Sequence, residues 1–243
     1  MAPHQLLDDD LFARARELRT AGRSPKEIAR ALGVRPSTVA PLMRAIAREA
    51  AADEPEPAVT GCWVSSGWSA GLTVDGHEEW PLDAADHAGS GLAGVVVARR
   101  HRPRRVSVCG YLVDVYCLGV KDALGPDVMN DRDLPAFLRT FFSAFGDATA
   151  PIEAPLDLAR HLVWGAVDYA RELGFSPHSD FQPTRGHLGE WQETSDITFG
   201  RDGVPFYVQG PYDTPGTVIR TLTRSVGDGN FHFIAPVGAA VGW

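Results

Sequence analysis

No apolar run in the chain approaches the ~20 residues of a membrane span, and residues 1–10 have neither the basic start nor the apolar core of a signal peptide. The expectation is a cytoplasmic protein with no membrane partner. Cysteine is scarce: three residues, Cys62, Cys109 and Cys117, form no CxxC pair, and an odd number argues for free thiols against a disulfide framework. There is no GxGxxG, no P-loop and no GxSxG, so nothing points to a nucleotide cofactor or a serine hydrolase, and the residues name no cofactor.

What is present is an uneven charge. The chain of 243 residues carries a net −8, yet 11–48 holds nine Lys/Arg against only Glu17 and Glu27, with Asp8, Asp9 and Asp10 just ahead of it. A basic head on an acidic body points to a polyanion partner for the head. Residues 51–60, small, acidic and interrupted by two prolines, have the composition of a semi-extended linker. The expected organisation is therefore a head over 1–50, a linker over 51–60 and a body over 61–243.

In the head, Leu11, Phe12, Ala15 and Leu18 give a first amphipathic helix that stops at Gly22. Ser24-Pro25-Lys26-Glu27 is a capping box with proline at the first helical position. Ile28, Ala29 and Leu32 then form the buried stripe of a second helix, Gly33 makes a tight turn, and Val34, Val39 and Leu42 supply the apolar face of a third. These residues, over about Leu11–Ala47, resemble the helix-turn-helix pattern. That resemblance implies double-stranded DNA as partner, with Arg35, Ser37, Thr38 and Arg44 placed for bases and Arg23, Lys26, Arg30 and Arg48 for phosphates. Pro41 stands against the expected recognition helix, because an interior proline loses a hydrogen bond, and it fits only if that helix begins late, near Ser37 or Thr38. A generic three-helix bundle used for dimerisation or docking is the alternative.

The body reads as an antiparallel or mixed β-sheet with packed helices, making the whole chain α+β. Gly110–Asp122, a β-favouring run with one carboxylate at its centre, is expected to be the central strand, covered on both faces. Gly94–Arg99 pairs with it as a hairpin through the arginine-rich 99–105, whose tip is either an anion contact or a solvated end that discourages edge pairing. Gly61–Gly94, with Trp63, Trp68 and Trp80 among acids, reads as a solvated loop with packed tryptophans; metal ligation by His77, His87 and their acidic neighbours matches no established spacing. Asp133 is placed to cap a helix over Leu134–Phe145, and Pro155 opens another that Gly174 closes. A hairpin of Ile197–Phe199 with Pro205–Gln209, a helix over Pro215–Val226 and a strand at Phe231–Ile234 complete the expected elements.

The candidate chemical set is Asp114, Lys121, Asp122, His178 and Asp180, since acids and a histidine at the ends of neighbouring elements can stage metal-dependent phosphodiester hydrolysis. Asp114 and Asp180 would bind a divalent metal, His178 would act as base or ligand, and Lys121 would offset transition-state charge. Against this, Asp114 can simply pair with Lys121 or a backbone amide. Cys117, read as mid-strand, is a poor nucleophile. Asp213 or Thr214 is expected to cap the helix that follows. The segments Val113–Asp122, Gly165–Phe181 and Gly203–Asp213 together resemble an uncharacterised bacterial protein family over about Val106–Ile234. That resemblance implies one module and brings no activity with it. The leading expectation is a DNA-binding regulator whose body senses a ligand, binds a protein or mediates assembly as a homo-oligomer; the alternative is a metal-dependent nucleic-acid hydrolase targeted by its head.

Overall fold

The computed structural model describes residues 3–53, 56–82, 91–145 and 151–235, and within the head the side chains of residues 10–46. The chain divides into two compact units, Met1–Glu56 and Pro57–Trp243. The first holds helices α1 (Pro3–Thr20), α2 (Pro25–Leu32) and α3 (Pro36–Asp53). Ala15 of α1, Ile28 and Ala29 of α2, and Val39 and Ile46 of α3, the last two at i, i+7 spacing, form its buried core.

The boundaries of α2 follow from its chemistry. Ser24 is extended (φ −70°, ψ 156°) and its Oγ accepts the Glu27 amide, while the Ser24 amide donates to Glu27 Oε2 at 2.8 Å, so two orphan donors of the first turn are satisfied reciprocally. At the other end Gly33 is left-handed (φ 66°, ψ 24°), and the Val34 amide reaches back to the Ala29 carbonyl at 3.1 Å. A β-carbon at Gly33 would meet nothing within 4 Å, so glycine is needed for the backbone angle and not for a close approach. The third helix differs from expectation: it begins at Pro36, which leaves Pro41 in its interior instead of its first turn. The Ser37 carbonyl thereby loses its intrahelical donor. Both residues are exposed, so water can take that place. α3 also runs on to Asp53, into the stretch read as linker.

In the second unit a five-stranded antiparallel sheet has the order β5-β4-β3-β1-β6, with β1 Val59–Ser65, β3 Leu92–Arg102, β4 Arg105–Asp114, β5 Gly119–Asn130 and β6 Pro151–Glu153. The run Gly110–Asp122 is therefore not one strand. It is the end of β4, a turn, and the start of β5, and the central strand is β3. The arginine-rich hairpin between β3 and β4 forms as expected, with Arg104 at φ 58° in its turn. Alternation along β3 and β4 covers both sheet faces. Val95, Val97, Cys109, Tyr111 and Val113 join the core under helix α5 (Leu156–Glu172), whereas Val96, Ala98, Val106 and Val108 pack with Leu138 and Phe142 of α4 (Leu134–Ser143). Gly119 (φ 69°) lets β5 start against α5, since a β-carbon there would lie 2.8 Å from the Ala166 carbonyl oxygen.

Three further expectations are corrected. Part of Gly61–Gly94 is strand: Cys62 and Val64 of β1 face the core, and β2 (Thr73–Val74) pairs with β7 (Ile197–Thr198). Ile197–Phe199 and Pro205–Gln209 do not form a hairpin with each other, because β8 (Phe206–Val208) instead pairs in parallel with β9 (His232–Ile234) across helix α7 (Pro215–Ser225). Asp133 stands at the N-terminus of α4 without a side-chain capping bond. A short α6 (Phe181–Thr184) completes seven α-helices among the described residues. No helix of the described residues is long and apolar enough to cross a membrane.

Candidate functional site

In the head unit, Arg23, Lys26, Arg30, Arg35, Ser37, Thr38 and Arg44 are all exposed, while Arg48 lies outside the described side chains. Ser37, Ala40, Pro41 and Arg44 fall at helical i, i+3, i+4 and i+7 spacing on one open face of α3. The opposite side of the helix carries the buried Val39 and Ile46. Arg23 has a carboxylate neighbour in salt-bridge range, Glu27 at 3.7 Å.

In the body, the five candidate residues separate into two groups. Asp114 is the last residue of β4 and 2 % exposed. Its Oδ1 accepts the amides of Tyr116 and Cys117, both at 3.0 Å, so the carboxylate closes the β4–β5 turn on its own backbone. Burial pushes its pKa up to about 7, against the opposing pull of the Lys121 charge and of those amides. Lys121 does not pair with Asp114: its Nζ lies 2.9 and 2.8 Å from the two carboxylate oxygens of Asp213. Asp213 also accepts the Gly210 amide at 2.7 Å and so is held away from a capping role; Thr214 stands at the N-terminus of α7 without a side-chain bond to it.

Asp122, His178 and Asp180 do come together. His178 Nδ1 lies 3.8 Å from Asp122 and 3.6 Å from Asp180, and all three residues are exposed. Among the described residues Asp114 belongs to no such group of potential ligands. The arrangement leaves the proposed hydrolytic set with a solvated trio and without its buried acid or its free cation. Cys117 sits in the turn and not in a strand; it is fully buried, and desolvation raises its thiol pKa. Burial likewise pushes Cys62 and Cys109 up to about 12, so none of the thiols is poised as a nucleophile.

A second cluster went unread in the sequence. Pairing of β2 with β7 sets Asp196 beside the turn that carries His77, Glu79 and Trp80, and α5 presents Asp157 and His161 to the same place. His77 is stacked on Trp80 (3.7 Å between centroids, 7° between planes), with Nδ1 3.0 Å from Glu79 Oε1 and Nε2 2.8 Å from Asp196 Oδ2. Its pKa is raised, first by the bond to Asp196 and then by that to Glu79. His161, 3 % exposed, accepts the Asp196 amide on Nδ1 at 3.0 Å. The expectation of packed tryptophans holds for Trp68 and Trp80, which are buried, but His77 is not a loop histidine in solvent. His87 lies outside the described residues. The one local signal was an acid and a histidine four residues apart on α5, Asp157 and His161; Asp196 is 119 residues from His77 and could not be paired with it by spacing.

The body also contains a cavity of about 670 Å³. Leu92, Leu112, Leu124, Phe141 and Phe145 give it apolar walls, and Asp122 stands at its lining.

No family model, curated protein or solved structure matches the chain.

Proposed function

We propose that the protein is a helix-turn-helix DNA-binding regulator of the cytoplasm, whose head contacts duplex DNA and whose body senses a small molecule or mediates assembly. The observation that carries this reading is the exposed face of α3 after a capped α2 and a left-handed Gly33. That is the arrangement in which a second helix can enter a major groove while the turn holds it against the first. Arg35 and Arg44 flank the hydroxyls of Ser37 and Thr38 on the available surface, and the cations of α1 and α2 suit phosphates. Ala40 and Pro41 bring no hydrogen bonds to bases, so sequence discrimination falls on the positions beside them.

A ligand-sensing body is supported by the cavity, whose volume lies within the ordinary range for small-molecule sites and whose apolar walls carry few polar groups. The competing hydrolase reading needs Asp114 as a metal ligand and Lys121 to offset transition-state charge, and each is committed to a structural partner.

The test is fluorescence anisotropy of a labelled mixed-sequence duplex titrated with the intact protein at low salt. Binding that Arg35→Ala and Arg44→Ala weaken together by about tenfold or more supports the reading. No binding at low salt contradicts it.

A further inference from the structure

From the tautomers that the hydrogen bonds impose, we infer that His77 Nδ1, Glu79 and Asp157 form a binding site for a divalent transition-metal ion of the zinc class. His161 Nδ1 accepts the Asp196 amide at 3.0 Å, so in the neutral ring the proton is on Nε2, and the nearest carboxylate to Nε2 is Asp157 at 3.9 Å. His161 thus cannot offer Nδ1 to a metal without breaking a bond to the backbone, and its Nε2 stands 3.9 Å from Asp157, beyond hydrogen-bond reach.

His77 follows by the same reasoning. Asp196 Oδ2, at 2.8 Å, accepts a hydrogen bond from Nε2–H, which in the neutral ring leaves the Nδ1 lone pair for a metal. Without metal, Glu79 faces that nitrogen at 3.0 Å and both ring nitrogens must be protonated to satisfy both acids. A metal at Nδ1 replaces one proton and breaks no other bond in the cluster. The ligand atoms of His77, Glu79 and Asp157 lie within 4.8 Å of one another, a spread that modest side-chain adjustment reduces to that of ligands about 2.0–2.2 Å from zinc.

The surroundings are those of a metal site. Asp196 on the non-ligating nitrogen of His77 makes the carboxylate–histidine pair that fixes ring orientation and strengthens the ligand. Trp80, 3 % exposed and stacked on the ring, restrains it further. Three carboxylates around one imidazolium carry a formal −2, which a dication exchanged for one proton reduces to −1. One imidazole and two carboxylates leave a fourth position for water or an exogenous ligand. The alternative set of His77, His161 and Asp196 also clusters, but ligation through His161 Nδ1 requires the Asp196 amide to leave it.

The experiment is isothermal titration of the EDTA-dialysed full-length protein with Zn²⁺, together with Co²⁺ titration followed by visible absorption. One equivalent is expected. Glu79→Gln and Asp157→Asn should each weaken binding by more than about tenfold, Asp196→Asn by about 10–100-fold as an outer partner, and the Asp122→Asn/His178→Gln pair not at all. Thermal melts without metal show whether each variant is folded. Since Glu79, Asp157 and Asp196 are all half-exposed or exposed carboxylates, the three single variants should fold as wild type does. No saturable binding, binding lost with Asp122 and His178 instead, or binding that survives Glu79→Gln and Asp157→Asn but not Asp196→Asn would each overturn the assignment.

Discussion

Lys121 Nζ sits between the two carboxylate oxygens of Asp213, at 2.9 and 2.8 Å, with the two side chains only 17 % and 12 % exposed. The pair ties β5 to the loop ahead of α7, because Asp213 also receives the Gly210 amide. Asp213→Asn should lower stability by about 2–4 kcal/mol, somewhat below the ~3–5 kcal/mol of a fully buried pair because Lys121 keeps some water. Urea titrations of both single variants and of Lys121→Met/Asp213→Asn provide the check. A double variant less destabilised than the sum of the singles is expected, and strict additivity would mean that the two groups are not coupled.

Asp114 gives the chain a pH dependence of definite sign. Its carboxyl is raised from 3.8 to about 7 in the folded protein, so the folded state holds this proton more tightly than the unfolded state does. The resulting contribution is fully present below pH 4 and is lost as pH rises toward 7, by an upper bound of roughly 4 kcal/mol at ~1.4 kcal/mol per unit. Asp114→Asn keeps an oxygen for the amides of Tyr116 and Cys117 but has no charge to desolvate. The variant should match wild type near pH 4 and exceed it in stability at pH 8. Melts across that range decide it: parallel curves for the two proteins contradict a desolvated carboxylate.

The difference between Asp114 as expected and as found shows where the sequence is legible. A carboxylate in a β-favouring run signals burial, and it is buried. Nothing in Val115-Tyr116-Cys117-Leu118 signals a turn, since none of the four is a turn-forming residue and Val115 and Tyr116 favour strands. The turn is imposed by the Asp114 side chain on two amides and by Gly119 in left-handed conformation against α5. α2 was readable to the residue because both of its caps are local chemistry. The His77 cluster was not, because its members come from three elements joined through β2 and β7, strands of two residues each. The exposed trio of Asp122, His178 and Asp180 was found, whereas the partner of Lys121 was not: Asp213 was assigned by sequence to the nearest helix, and tertiary structure uses it otherwise.

Gly33 tests the two-unit organisation. At φ 66° any side chain with a β-carbon is strained by about 1–2 kcal/mol, with β-branched residues the worst and asparagine tolerated. No atom lies within 4 Å of that β-carbon, so the effect is conformational alone. Gly33→Val should lower the melting of the head and leave the body's transition where it was, and Gly33→Asn should cost less. Differential scanning calorimetry separates the transitions. One cooperative transition shifted as a whole would show that the two units do not unfold independently.

The central claim is that the head binds duplex DNA through its cations, and its most direct measurement is the salt dependence of that binding. Anisotropy titrations of the intact protein between about 50 and 200 mM salt should give a log K that falls linearly with log salt, with slope roughly −0.9 per phosphate neutralised. Exposed Arg23, Lys26, Arg30, Arg35 and Arg44 lead us to expect a slope of about −3 to −5. Removing one phosphate-contacting cation, as in Lys26→Ala, should reduce the slope by about one. Binding absent at the lowest salt, or binding indifferent to salt and to these substitutions, would contradict the account.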